Sequence, residues 1–86
     1  MKYNVYILKS FNHDWHYVGM SSNVTKRFNA HNNKKVHSTK HFAPFKLILV
    51  ESFPDRTTAR RREKYYKTGF GKKVWMKKVS EQKNKS

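Results

Sequence analysis

Glu63 stands inside "ARRREKYYK", a stretch from Ala59 to Lys67 that is otherwise strongly basic, in a chain with only 5 acidic residues against 20 lysines and arginines. At helical spacing Ala59, Glu63, Tyr66 and Phe70 fall on one face, so this carboxylate lies in an apolar stripe. There it loses hydration and needs a cation or hydrogen-bond donors. Two readings meet that need. Lys67, four residues on, can form an ordinary helical ion pair worth a few tenths of a kcal/mol. Alternatively the carboxylate holds a divalent metal, whose preference for hard oxygen ligands and several waters suits Mg²⁺.

Other side chains with chemical capacity recur at telling intervals. Arg27 and His31 are one helical turn apart and share a face. Tyr6 and Tyr17 sit in two segments rich in aromatic and β-branched residues, "YNVYILK" from Tyr3 and "WHYVGM" from Trp15, that read as strands. The turn residues between them suit a hairpin. Pairing Ser10 with Trp15 sets Tyr6 opposite Gly19 and Leu8 opposite Tyr17, which makes the two tyrosines diagonal neighbours on one face. Each has a plain reading too: strand aromatics for the tyrosines, a solvated helix residue for Arg27, a helix C-terminal cation for His31. Gly19 reads as a bulge or a close backbone approach. His13, His16, His37 and His41 lack tight metal spacing and read as surface residues, with His37 to His41 a candidate substrate-facing loop.

The elements that must carry these residues follow from pattern and punctuation. Ser21, Ser22 and Asn23 are candidate caps for a helix through Val24, Phe28 and His31, which ends at Asn32 and Asn33. After a polar loop, Lys46 to Ser52 has an unbroken apolar centre, Leu47-Ile48-Leu49-Val50, which predicts a strand buried on both sides. A second helix is predicted from about Thr57 to Thr68, closed by Gly69. A short third one from Lys72 to Val79 packs Val74, Trp75 and Val79. The expectation is one domain over residues 1–79 and a charged, disordered tail over 80–86. The fold class is α/β (α+β): a small, mainly antiparallel three-stranded sheet, its first strand central, with helices around it.

Composition narrows the partners. At 86 residues the chain suffices for one small core. A net charge of +15 favours polyanions, nucleic acid first. The Arg60 to Lys67 stretch lacks the uninterrupted apolar face of a membrane-surface helix, and no apolar run approaches the length of a membrane span. Cysteine is absent, which is compatible with a reducing, cytoplasmic setting.

The ordered set "NVY" at 4–6, "YVG" at 17–19, "KRFNAH" at 26–31, "STKH" before a proline and an apolar strand, and "RREKYYKTG" at 61–69 resembles the GIY-YIG nuclease superfamily, especially its small stand-alone bacterial domains. The resemblance runs from Tyr3 to about Lys73. Asn4 and Val5 stand in place of the first glycine and isoleucine of the name motif, Met20 where some members have lysine, and the C-terminal asparagine of other branches has no clear equivalent. The resemblance implies a metal-dependent phosphodiesterase acting on nucleic acid, with DNA preferred and no small-molecule cofactor. It implies a site of Tyr6, Tyr17, Arg27, His31 and Glu63, with one Mg²⁺ or Mn²⁺ on Glu63. Water attacks phosphorus in line, Tyr6 is the candidate base with His31 as helper, Tyr17 orients the water, and Arg27 steadies the transition state. A phenol with pKa near 10 is a poor base at neutral pH, and nearby cations are expected to favour its phenolate. Two other functions fit the sequence: a nucleic-acid-binding module that kept the fold without efficient catalysis, and a basic adaptor for an acidic protein.

Overall fold

The structure, a computed structural model, describes residues 2–83. Strands β1 (Tyr3–Ser10) and β2 (His16–Ser21) form a hairpin, helix α1 (Val24–Asn32) follows, and a 3-10 turn (Lys40–Phe42) leads into β3 (Phe45–Phe53). Helices α2 (Arg56–Tyr66) and α3 (Gly69–Lys83) complete the order. The sheet runs β2-β1-β3 with both pairings antiparallel, so the first strand is central, as the sequence predicts. The hairpin register is also the predicted one: Ser10 N–H donates to the Trp15 carbonyl at 2.9 Å, Tyr6 faces Gly19 and Leu8 faces Tyr17.

As the middle strand β1 is paired along both edges, and helices cover both of its faces. Val5 and Ile7 point to one side and Tyr6 and Leu8 to the other, and none is more than 1% exposed. Val5, Ile7, Val18 and Leu49 pack with Ala59, Tyr66 and Trp75 of α2 and α3. On the opposite face Tyr6, Leu8 and Phe45 pack with Val24 and Phe28 of α1, and with Trp15, Tyr17 and Phe42.

Three expectations need correction. β3 is an edge strand, not one buried on both sides: Leu47 is 39% and Val50 44% exposed. Its pairing with β1 shifts between Ile7 and Leu8, whose partners are Leu49 and Leu47, leaving Ile48 as an extra residue. That bulge flips the alternation, so Ile48 and Leu49 both pack on the α2–α3 side and an apolar run arises without two-sided burial. Second, α2 ends at Tyr66, and Gly69 opens α3 rather than closing α2. Thr68 is the reason: its Oγ1 accepts the Gly71 N–H at 3.0 Å and its carbonyl accepts the Lys72 N–H at 2.9 Å, which starts a new helix. Phe70 consequently leaves the apolar stripe and is 72% exposed. Third, α3 continues through Ser80 to Lys83, where a disordered tail was expected. The rest of that tail, 84–86, lies outside the described residues.

A partly buried polar cluster fixes the helices to the sheet edge. The Tyr66 hydroxyl donates to Glu51 Oε1 at 2.5 Å and Lys78 Nζ to Glu51 Oε2 at 2.7 Å, joining α2, β3 and α3.

Candidate active site

The site grows from the α1 face of the sheet. Asn23 Oδ1 caps α1 by accepting the Lys26 N–H at 3.1 Å, and Val24 and Phe28 anchor the helix over Tyr6 and Leu8. The same helical face then carries His31 into the interior, where it is 0% exposed. Asn32 Oδ1 accepts the Phe45 N–H at 2.6 Å and ties the end of α1 to the start of β3. Arg27, one turn before His31, stays exposed at the rim.

His31 Nε2 lies 3.0 Å from the Tyr6 hydroxyl, and its Nδ1 lies 2.8 Å from Thr39 Oγ1. Tyr17 completes the group, with its ring centroid 6.1 Å from that of Tyr6 and 4.8 Å from that of His31. Gly19 is what lets the two phenols approach. A Cβ there would lie 2.6 Å from the Tyr6 hydroxyl oxygen and 2.6 Å from Tyr17 Cε2, so the position is required for space rather than for a bulge.

Electrostatics at the two central groups oppose the expectation of a ready phenolate. Burial pushes the Tyr6 phenol well above its ordinary pKa, the neighbouring Tyr17 adds to this, and Arg27 offsets only part of it. Burial also lowers His31 to about 4, with Arg27 contributing. His31 is therefore a neutral imidazole at neutral pH, not a helix C-terminal cation, and Tyr6 is a neutral phenol. The +15 net charge does not reverse this, because most cations are solvated and screened while desolvation acts on the phenol directly.

Four of the five sequence-predicted residues thus meet: Tyr6, Tyr17 and His31 by contact, and Arg27 through its field on Tyr6 and His31. Glu63 stands apart. It lies on α2, its side chain is 9% exposed, and it pairs with Arg60 at 3.2 Å and Lys67 at 3.6 Å. Its link to the tyrosines is a groove between β2 and α2 that Tyr17 and Lys67 both line. Among the described residues no three His, Cys, Asp or Glu side chains cluster as a metal cage. The donor at hand fits a hard divalent ion held by one carboxylate, with waters and substrate oxygens as the remaining ligands. Arg60 and Lys67 are more than half exposed.

Sequence reasoning misses Thr39, which is 0% exposed within an otherwise polar loop; its signal is the "STKH" string. It also missed His16, which packs edge-on against Trp75 with centroids 4.8 Å apart. Burial, then Lys72 and Lys9, lower the pKa of His16. His37 and His41 are exposed.

Comparison with known proteins bears on the family and the fold. No curated protein matches the chain. The solution NMR structure of the UPF0213 protein BH0048 from Bacillus halodurans is similar, at 28% identity and a TM-score of 0.55, covering 90% of this chain and 84% of that one. The family model described as the GIY-YIG catalytic domain matches residues 2–78, nearly the full length, and the chain belongs to the GIY-YIG nuclease superfamily.

Proposed function

We propose that the protein is a divalent-metal-dependent endonuclease that hydrolyses phosphodiester bonds of DNA, using Tyr6, Tyr17, Arg27, His31 and Glu63. Family membership supports a nucleic-acid substrate, and the net charge of +15 supports tight, salt-sensitive binding to phosphates. The observation that carries the reading is the buried Tyr6–His31 hydrogen bond, 3.0 Å long, with Tyr17 against both rings. A phenol joined to a neutral imidazole and sealed from water on that side is a proton path, which a purely binding surface does not need.

The mechanism uses that path in a balanced way. Tyr6 takes a proton from the attacking water as its own proton passes to His31 Nε2, so the phenol is neutral before and after and its raised pKa is no obstacle. The hydroxide thus formed adds to phosphorus, the P–O bond opposite it breaks, and the departing oxygen takes a proton from solvent water while His31 returns its own to solvent through Tyr6. Tyr17 hydrogen-bonds and orients the water. Arg27 cannot lose its proton and stays available to the charge that develops on the phosphoryl oxygens. Glu63 would hold the divalent ion, whose chemistry when bound is to neutralise charge on the phosphate and the departing oxygen. An approaching phosphate also offsets the field of Arg27 on His31, which raises the basicity of the imidazole when substrate is in place.

The test is incubation of the pure protein with single-stranded, duplex and branched DNA and the matching RNAs, in Mg²⁺, in Mn²⁺ and in chelator. The reading expects DNA cleavage that requires metal and disappears in Tyr6→Phe. Binding without cleavage of any form would reduce the protein to a nucleic-acid-binding module, and RNA cut in preference to DNA would overturn the choice of substrate.

A further inference from the structure

Thr39 has no assigned part in this site, yet its side chain is as deeply buried as His31. It sits between α1 and the 3-10 turn, where its backbone N–H donates to the Val36 carbonyl at 3.2 Å and its carbonyl accepts the Phe42 N–H at 3.0 Å. Those two bonds fix the backbone that carries the hydroxyl. The hydroxyl has a single proton, and the Val36 carbonyl at 3.4 Å is an acceptor that can take it. A proton turned that way leaves the lone pairs of the oxygen to His31 Nδ1, 2.8 Å away. A neutral imidazole has one N–H donor and one acceptor nitrogen. With Nδ1 donating to Thr39, Nε2 carries the lone pair, and Nε2 is the atom that faces the Tyr6 hydroxyl.

We propose that Thr39 is a positioning residue that fixes the tautomer of His31, holding the proton on Nδ1 so that Nε2 is kept as the acceptor for the Tyr6 proton. The inference deepens the proposed function and rests on it for its kinetic consequence, while the tautomer itself does not depend on cleavage. Without an oxygen at position 39, a proton on Nδ1 would be a buried donor with no partner. Placing the proton on Nε2 instead leaves a bare lone pair beside a methyl group and turns the imidazole into a donor toward Tyr6, which blocks the transfer. The hydroxyl also supports the imidazolium that forms during turnover, since both ring nitrogens then donate. The other groups that face the ring are Tyr6 from β1, Tyr17 from β2, Phe45 from β3 and Arg27 from α1. Among these the phenols alone could replace the oxygen as acceptors, and Tyr6 contacts the opposite nitrogen.

The experiment is ¹⁵N NMR of the imidazole nitrogens at neutral pH in the full chain without nucleic acid, for wild type, Thr39→Val and Thr39→Ser. Wild type and Thr39→Ser are expected to hold His31 with Nδ1 protonated, and Thr39→Val to shift it to Nε2–H or to a mixture. Wild type with the proton on Nε2 would overturn the proposal on its own, even if Thr39→Val fails to fold. So would a folded Thr39→Val that keeps Nδ1 fully protonated. In cleavage, Thr39→Val should lower kcat by on the order of ten- to a hundredfold, the effect that outer hydrogen-bond partners have on working imidazoles. DNA affinity in chelator should not change, and Thr39→Ser should restore turnover. If wild type does not cut any nucleic acid, the endonuclease reading fails while the tautomer result still decides the role of Thr39.

Discussion

Gly19→Ala adds one methyl group at the point where the two phenols meet, and the structure fixes what that methyl encounters. The new Cβ would lie 2.6 Å from the Tyr6 hydroxyl oxygen, 2.7 Å from Tyr6 Cζ and 2.6 Å from Tyr17 Cε2, where comfortable carbon contacts are about 3.5–4.0 Å. Tyr17 is half-buried and can swing outward, but Tyr6 is 1% exposed and packed among Leu8 and Phe45. Its phenol must tilt by roughly 1 Å to reach ordinary contact. Overpacking of this kind costs about 1–3 kcal/mol. Alanine returns about 0.4–1 kcal/mol by restricting the unfolded chain, so the net loss of stability is about 1–2 kcal/mol. The functional cost is larger. A displaced phenol cannot keep its 3.0 Å bond to His31, and a misplacement of about 1 Å at a reacting group costs on the order of 10²-fold in rate. Urea unfolding, DNA binding in chelator and single-turnover cleavage with Mg²⁺ measure the three quantities. Binding should be unchanged, because it rests on exposed cations. Cleavage within about twofold of wild type, in a variant that is measurably destabilised, would refute the claim that close phenol packing sets the geometry of the reaction.

Arg27→Ala should lower turnover by on the order of 10² to 10³-fold with little change in binding or stability, because the side chain is exposed and its charge would act at the transition state; lysine should rescue it poorly, and near-normal cleavage would remove it from the site. Glu63→Gln should abolish metal-dependent cleavage while DNA binding in chelator persists, and unfolding should shift by less than about 1 kcal/mol, because two weak ion pairs to exposed partners are exchanged against relief of a desolvated charge. Wild-type cleavage by that variant would mean that Glu63 is not the ligand. For pH, folding depresses His31 from an ordinary 6.5 to about 4, so between those values the unfolded chain binds the extra proton and stability falls as pH drops from 7 to 4, by on the order of 3 kcal/mol from this group. His16 is lowered as well and adds in the same direction. Urea unfolding at pH 7 and pH 4.5 checks the sign, and His31→Gln should flatten the slope.

What the sequence made legible was local or periodic. The hairpin register followed from a loop of fixed length between two alternating strands, and it placed Tyr6, Tyr17 and Gly19 on one face before any tertiary contact was known. Helix α1 announced itself through Asn23 and the Val24, Phe28, His31 spacing. What was not legible depended on partners distant in the chain or on a backbone irregularity. Four consecutive apolar residues in β3 read as two-sided burial, whereas a bulge at Ile48 produces the same string in an edge strand. Gly69 read as a helix terminator because the pattern does not reveal that Thr68 starts another helix. Thr39 looked like loop surface because nothing in its neighbours shows that His31, eight residues earlier, turns inward to meet it.

The phenol chemistry shows why charge counting and site chemistry separate. Twenty basic residues against five acidic ones suggest a field that would ionise any nearby tyrosine, and the structure puts Tyr6 where that field matters least. Cations at the rim act through solvent and lose strength over about 10 Å at ordinary ionic strength. Desolvation acts at the atom itself and grows with burial. Burial therefore wins at both Tyr6 and His31, holding each neutral, and a pair of neutral partners joined by one hydrogen bond can pass a proton without creating a buried charge in the resting protein. On the proposed mechanism the one charge that must appear, on His31, arises only while a phosphate anion lies against the site. The exposed cations other than Arg27 then have a separate task, bringing that anion in, which is why their substitution should alter affinity and its salt dependence while substitutions along Tyr6, His31 and Thr39 alter turnover.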